Sequence, residues 1–431
     1  MKMTNENPGR ISIRRLGRLF LRISTGLVLL ILFWSCGTIP GLQEETATSF
    51  IRVPFVRVLL ADSADDLKIS SDGAFAIECL RGGRQEIFYS SQPVTIQPVQ
   101  YSLTVRDSRG DIIRQQLDEV NILPRGSGHQ VKFEDRRYRG IVRMLPRGET
   151  VRAINIVYLE DYLRGVVPPE IGPRADYELE AVKAQAVAAR TYAMAHLKQY
   201  EGEPYDMKSS IMDQLYDGAS GENKLANKAV DQTAGRVIMH HDEMIDAYFH
   251  STCGGRTDDI ADVWDRKDIP YLKSVDDQAA CSWSKYYTWQ ETFTEKQLRG
   301  RIEQYLASDR GRDLRIGPIT ALTISDRTAG GRVRRLMVRT DRDVFRFQKD
   351  RIRWVIGRTS NPDLILPSDR FDIKIERDGD QNIVTVVFRG QGYGHGVGMC
   401  QCGAIGHSRN GWTYDAILKH YYTAVDIKKL Y

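Results

Sequence analysis

No stretch of this 431-residue sequence stays apolar for the roughly 20 residues that a membrane-spanning helix needs. It also lacks internal repeats and low-complexity tracts. With 42% hydrophobic and 27% charged residues, its composition is that of a folded protein rather than a disordered one. The body of the chain carries no excess charge of either sign. Lys2, Arg10, Arg14, Arg15, Arg18, Arg22 and Glu6 account for the whole formal net charge of +5, leaving 55 basic and 55 acidic residues beyond position 35. Nucleic-acid binding calls for clustered positive charge against phosphates, so no nucleic-acid partner is expected. Cysteine is sparse, at six residues, and none stands in a CxxC pair. Thioredoxin-like redox chemistry therefore has no footing. Alternating glycines at 394, 396 and 398 lack the strand–turn–helix setting of a dinucleotide fingerprint, because the neighbouring segments read as hairpins.

What is present begins with an export signal. The basic residues precede a short apolar run, Leu27–Trp34, and Ser35-Cys36-Gly37 follows it. A charged n-region, a short h-region and then a small residue before cysteine match a signal peptide with a lipoprotein processing site. The alternative is an uncleaved signal anchor with an incidental cysteine. Either way the protein is expected outside the cytoplasm, at the cell envelope, anchored to the membrane through Cys36 or the signal itself. Residues 1–36 are assigned to the signal, 37–50 to a tether, 51–150 to a β-rich region and 151–431 to a second domain.

Between positions 51 and 167, β-branched and aromatic bursts at Val53–Leu60, Ala74–Leu80, Glu86–Tyr89, Val94–Val105 and Val151–Leu159 alternate with Ser-Asp-Gly and Gly-Gly turns, predicting strands. A helix is predicted from about Tyr177 to Tyr200, N-capped by Asp176, with Leu179, Val182, Ala186, Ala189, Ala193 and Leu197 on one apolar face. Hairpins are expected around Ala329-Gly330-Gly331 and Asp378-Gly379-Asp380, and a last helix over Thr413–Tyr421. The fold class is α+β: a largely antiparallel β framework with few helices.

Three constellations hold the residues suited to chemistry. In Tyr162–Pro173 a strand-like run meets Pro168-Pro169, then Glu170 and Gly172-Pro173, which displays Glu170 on a stiff connection ahead of the helix. Rigid presentation suits a general acid/base, although a glutamate upstream of a helix is commonly just a solvated charge. After a strand-like Ile245–Phe249 comes His250-Ser251-Thr252-Cys253-Gly254-Gly255, which offers substrate contacts, metal ligands or a nucleophile, or simply a strand-to-loop corner. The third is Gly390–Ala404, whose glycines permit close approach to a ligand.

Taken in order, these blocks resemble the stage II sporulation protein D/LytB domain family. The resemblance is carried by Leu159-Glu160-Asp161-Tyr162-Leu163 with Glu170, Leu179–Ala186 with Ala189-Arg190-Thr191-Tyr192, Asp213-Gln214-Leu215-Tyr216, Phe249-His250-Ser251-Thr252 with Gly254-Gly255, and Gly394–Met399 with Gln401 and Gly403-Ala404. It spans about Ile51 to the C-terminus. The chain departs from the family pattern at Pro169 and Ile171 around the glutamate, and at Cys253, Cys400 and Cys402.

The resemblance implies a lytic transglycosylase acting on peptidoglycan strands stripped of stem peptides, with Glu170 as its catalytic acid/base. Lys183, Arg190, His250, Ser251, His395 and Gln401 would bind the sugar. Asp161 and Asp213 stand as candidates for a second carboxylate, which would make the enzyme a hydrolase instead. The rival expectation is a non-catalytic wall-binding protein that stimulates an amidase partner. No cofactor is required: His250, Cys253 and Cys281 are compatible with zinc, which is not predicted, and Cys253 with Cys281 is the first disulfide pair to consider.

Overall fold

The computed structural model describes residues 53–431 apart from positions 64, 127, 312, 313 and 362. The expected signal, the lipid site at Cys36 and the tether lie outside the described residues. Within them, no helix is long and apolar enough to cross a membrane. Strand outweighs helix, 37% to 24%, in mainly antiparallel sheets, as the α+β expectation requires.

A seven-stranded sheet runs in the order Met207–Lys208, Phe55–Ser63, Thr150–Tyr158, Ile141–Arg147, Glu119–Pro124, Phe75–Arg81, Arg84–Ser90. A six-stranded sheet contains Leu67–Ser71 and Val94–Val99 at its centre. Alternation places Phe75, Ile77 and Cys79 of one sheet, with Leu67, Ile69, Val94 and Ile96 of the other, in a common core. The expected strand Val94–Val105 is two strands, broken by a turn at Gln100, whose φ is +52°.

The described residues form eight α-helices: α1 (Leu159–Ile171), α2 (Leu179–Ala195), α3 (Lys224–Gln232), α4 (Ile260–Val263), α5 (Glu295–Arg310), α6 (Arg351–Ile356), α7 (Gln401–Arg409) and α8 (Tyr414–Tyr421). Helix α2 is the predicted alanine-rich one, but it is not amphipathic. Helices α1, α3, α7 and α8 and the strand Arg236–His240 pack around it, and residues 184–193 are all buried. Small side chains let those neighbours approach its backbone closely. Its N-cap also differs from expectation. A 3₁₀ turn, Asp176–Glu178, leads in, and the Glu178 carboxylate accepts the Ala175 N–H.

Both expected hairpins form, pairing Ile319–Arg327 with Val333–Thr340 and Phe371–Arg377 with Ile383–Gln391. With α5 and α6 they enclose a second core that includes Phe293, Leu298, Val338, Val355 and Phe388. This second core is pinned to the rest by Arg332. Fully buried, its guanidinium meets Asp258 at 2.8 Å and Asp369 at 2.7 Å, and donates to the carbonyls of Cys253 and Gly394.

Candidate active site

The segment expected to be a strand ending in a stiff loop is a helix. Leu159–Ile171 makes α1, and Glu170 stands in its last turn. Two prolines in the last turn of α1 cost the helix two N–H donors, and one of those losses has a use. Pro169 cannot donate to the Gly165 carbonyl four residues earlier, and that oxygen accepts the Asp217 N–H at 3.1 Å instead. Gly165 itself has no room for a side chain. A Cβ there would lie 2.7 Å from both the Gly218 carbonyl oxygen and the Tyr216 ring.

The loop held in this way carries Asp213-Gln214-Leu215-Tyr216. Gln214 is fully buried, accepting the Tyr162 hydroxyl at 3.0 Å and donating to the Ala189 carbonyl of α2. Tyr216, also buried, donates its hydroxyl to Asn155 at 2.7 Å. With both flanking side chains fastened, the Leu215 N–H is aimed at Glu170 and donates to Oε1 at 2.7 Å. On the other side the Gln401 amide donates to Glu170 Oε2 at 3.4 Å and to Gln185 Oε1 at 3.3 Å.

Gln401 reaches this place through strand pairing. Phe249–His250 runs parallel to Met399–Cys400, with His250 opposite Cys400, so Gln401 begins α7 directly beyond the pair. Strand structure before His250 is shorter than expected, covering only Phe249–His250. Gly394 and Gly396 adopt φ of +109° and +87°, and a Cβ on them would strike His250 and Arg332 respectively, so this loop requires glycine.

Burial pushes the Glu170 carboxyl up from its ordinary value to about 7, against the opposing effect of the Leu215 and Gln401 hydrogen bonds. No charged neighbour is among the causes of the shift. The C-terminal end of α1, where carbonyl dipoles point, adds to the same tendency. Glu170 is therefore a carboxyl that still holds its proton in a large fraction of molecules near pH 7.

The two histidines are also neutral. His250 is buried, its Nδ1–H donates to the Val397 carbonyl at 3.1 Å, and burial drives its pKa well below the usual range. His395 donates from Nε2 to the Phe249 carbonyl, accepts the Val397 N–H at Nδ1, and is pushed down to about 4 by burial. Their rings lie 5.4 Å apart. Both act here as struts between the two loops, and Ser251 stands beside them with its hydroxyl near that of Thr252.

Other expected site residues are engaged in contacts of their own. Arg190 is fully buried in a two-bond ion pair with Glu160, at 2.8 and 2.7 Å, leaving no face for a sugar to reach. Lys183 pairs with Glu180 at 2.7 Å and lies near the Tyr414 ring. Asp161 is nine residues before Glu170 on the same helix, roughly 13 Å along its axis. That is beyond the separation of paired glycosidase carboxylates. Asp213 accepts from Gln199, Tyr200 and the Lys208 N–H, as a buttress of its own loop. The Leu215 N–H and Gln185 escaped the sequence reading of site residues, although both fall within blocks that carry the family resemblance.

Cys253 and Cys281 are free thiols with sulfurs 3.5 Å apart, so they form no disulfide in this structure. His250 does not join them.

Comparison with known proteins shows what the chain is similar to. The profile of the stage II sporulation protein family (SpoIID) matches residues 147–240, and a domain of unknown function (DUF8618) matches residues 281–398. An uncharacterised protein of Brachyspira hyodysenteriae is 32% identical over 295 residues, covering 67% of this chain and 72% of that protein. Stage II sporulation protein D of Bacillus amyloliquefaciens is 31% identical over 297 residues, covering 64% and 76%. The amidase enhancer of Bacillus subtilis is 28% identical over 293 residues, covering 60% of this chain but 39% of the enhancer.

Proposed function

Because this chain belongs to the stage II sporulation protein D family, we propose that it is a cell-wall enzyme, a lytic transglycosylase that cuts peptidoglycan glycan strands with Glu170 as its single acid/base. Its substrate is the bond from N-acetylmuramic acid to N-acetylglucosamine, in strands stripped of peptides. The observation that carries this reading is the partly buried Glu170 carboxyl, raised by desolvation to about 7 with no charged partner behind the shift.

One such group suffices for the chemistry. Neutral Glu170 gives its proton to the bridging oxygen as the bond from that oxygen to the muramic C1 breaks. The carboxylate left behind then takes the proton of the muramic C6 hydroxyl while that oxygen bonds to C1. Glu170 ends protonated as it began, no water is consumed, and the new end is a 1,6-anhydro sugar. Hydrogen bonds from the Leu215 N–H and Gln401 stabilise the transient carboxylate without abolishing its basicity. Water-dependent hydrolysis by two carboxylates is disfavoured by the separation of Asp161 from Glu170 along α1 and by the three hydrogen bonds that already engage Asp213. Export and anchoring through Cys36 at the envelope complete the proposal and bring the protein to its substrate.

The test is mass spectrometry of products from peptide-stripped strands incubated with the full-length protein. Fragments lighter by one water than hydrolysis products support the reading. If the protein releases nothing but accelerates an added N-acetylmuramoyl-L-alanine amidase, and Glu170→Gln accelerates it equally, a non-catalytic amidase modifier is the correct account.

A further inference from the structure

Behind the loops that bear His250 and Gln401 lies a group of side chains that the proposed chemistry does not use. Cys253, Asp277, Cys281 and Cys400 are all buried, and one ligand atom from each lies within 4.8 Å of every other. They arrive from three separate chain segments: the turn after the strand Phe249–His250, the loop ahead of the strand Thr288–Thr294, and the start of α7. We propose that these four residues bind one structural zinc ion, in a tetrahedral Cys₃Asp site.

The spacing suits the metal. Zinc–sulfur bonds of about 2.3 Å at tetrahedral angles put ligand sulfurs ~3.8 Å apart. The Cys253 and Cys281 sulfurs, 3.5 Å apart, need only a small outward adjustment to reach it. Donors already surround the ligand atoms. The Gly255 N–H points at Cys253 Sγ (3.3 Å), while the N–H groups of Cys253 (3.2 Å) and Gly403 (3.3 Å) point at Cys400 Sγ. Amide donors directed at sulfur favour thiolates over thiols, which is the state a zinc ligand requires. Asp277 is likewise oriented, accepting the Cys281 N–H on one oxygen (2.8 Å) and the Tyr421 hydroxyl on the other.

The glycines around the group serve this arrangement. Gly254 and Gly255 have φ of +79° and +114°, a turn that swings the Gly255 N–H back toward Cys253. A Cβ on Gly403 would sit 2.0 Å from both Asp277 Oδ1 and the Tyr421 hydroxyl oxygen. Four closed protein ligands leave no open position, so the ion is structural rather than catalytic. It would tie the beginning of α7, and with it Gln401, to the His250 loop. The inference does not depend on what Glu170 does, because its readout is metal.

Full-length protein produced with zinc supplied and reductant present, then dialysed exhaustively, is expected to retain one zinc per chain by elemental analysis. Cobalt exchanged for it should give the intense visible bands and thiolate charge transfer of a tetrahedral sulfur-rich site. Cys400→Ser should fall below about a tenth of an ion per chain, whereas Cys79→Ser, a free thiol outside the group, should keep its zinc. Should Cys400→Ser not fold, the cobalt spectrum of the unaltered protein decides by itself. Three results would overturn the site: no retained zinc, a cobalt spectrum lacking sulfur charge transfer, or an intact mass two hydrogens short that maps to a Cys253–Cys281 disulfide.

Discussion

Helix α1 carries two partly buried glutamates with opposite fates. Glu160, in its first turn, would be raised by burial, but two bonds from Arg190 and its positive charge outweigh that, and the carboxyl is held below the usual range. The Tyr431 hydroxyl and the Gly235 N–H lean the same way. Glu170, about 15 Å further along the axis, meets only one amide N–H and one long side-chain bond, and burial lifts it to about 7. Burial costs both carboxylates their hydration, and the neighbour then decides whether the group becomes a fixed charge or a movable proton. The first is an anchor; the second can do chemistry.

Removing each functional atom in turn separates the two roles. Glu170→Gln keeps the shape and an acceptor for the Leu215 N–H, but sets a donor where the Gln401 amide donates and has no transferable proton. Its glycan-cleaving rate should drop by about three orders of magnitude or more, measured on stripped strands, with the thermal midpoint not lowered. Arg190→Met should do the reverse. It strands Glu160 as an uncompensated charge and should destabilise the fold by about 3–5 kcal/mol in urea titrations. Loss of activity there should follow loss of folded protein.

The pH dependence of stability sharpens the contrast. Between the ordinary carboxylate range and about 7, folded Glu170 keeps a proton that the unfolded chain has released, so its contribution to stability falls as pH rises through that window and levels off beyond it. The span amounts to roughly 3 kcal/mol at most, and Glu170→Gln should remove it, flattening the urea-derived profile between pH 5 and about 7. Glu160 has the opposite sign. Its contribution is complete above its unfolded pKa and is lost as pH falls through its depressed folded value. The smallest expected effect belongs to Gln401→Leu. Loss of a bond that favours the charged form should raise the Glu170 pKa further, moving the alkaline limb of the pH–rate profile upward with about a tenfold fall in rate.

Much of the framework could be read in advance because it is local. The hairpin around Asp378-Gly379-Asp380 follows from its turn residues and alternation, and α8 from a Thr413 cap that does accept the Ala416 N–H. Helix α5 is marked just as locally. Thr294 and Gln297 form a capping box, visible as a threonine three residues before a glutamine. Helix α1 was misread because Val166-Val167-Pro168-Pro169 has the composition of a strand end, and only packing against α2 and α3 overrides that preference. Arg190 was misplaced for a related reason. A basic residue on a predicted helix face gives no sign that a glutamate 30 residues away will enclose it.

By itself the sequence determined which residue types were at hand: a glutamate beside prolines, glycine-rich loops, three dispersed cysteines, and the ordered blocks that mark the family. Tertiary structure alone decided that Glu170 should be desolvated without a cation while Glu160 received one, and that Cys253, Cys281 and Cys400 should converge with Asp277. Propensity and turn chemistry act over a few residues and can be read along the chain. A pKa or a ligand set depends instead on groups brought within a few ångströms from positions up to 271 residues apart, as Tyr431 and Glu160 are, and only the packed fold sets those distances.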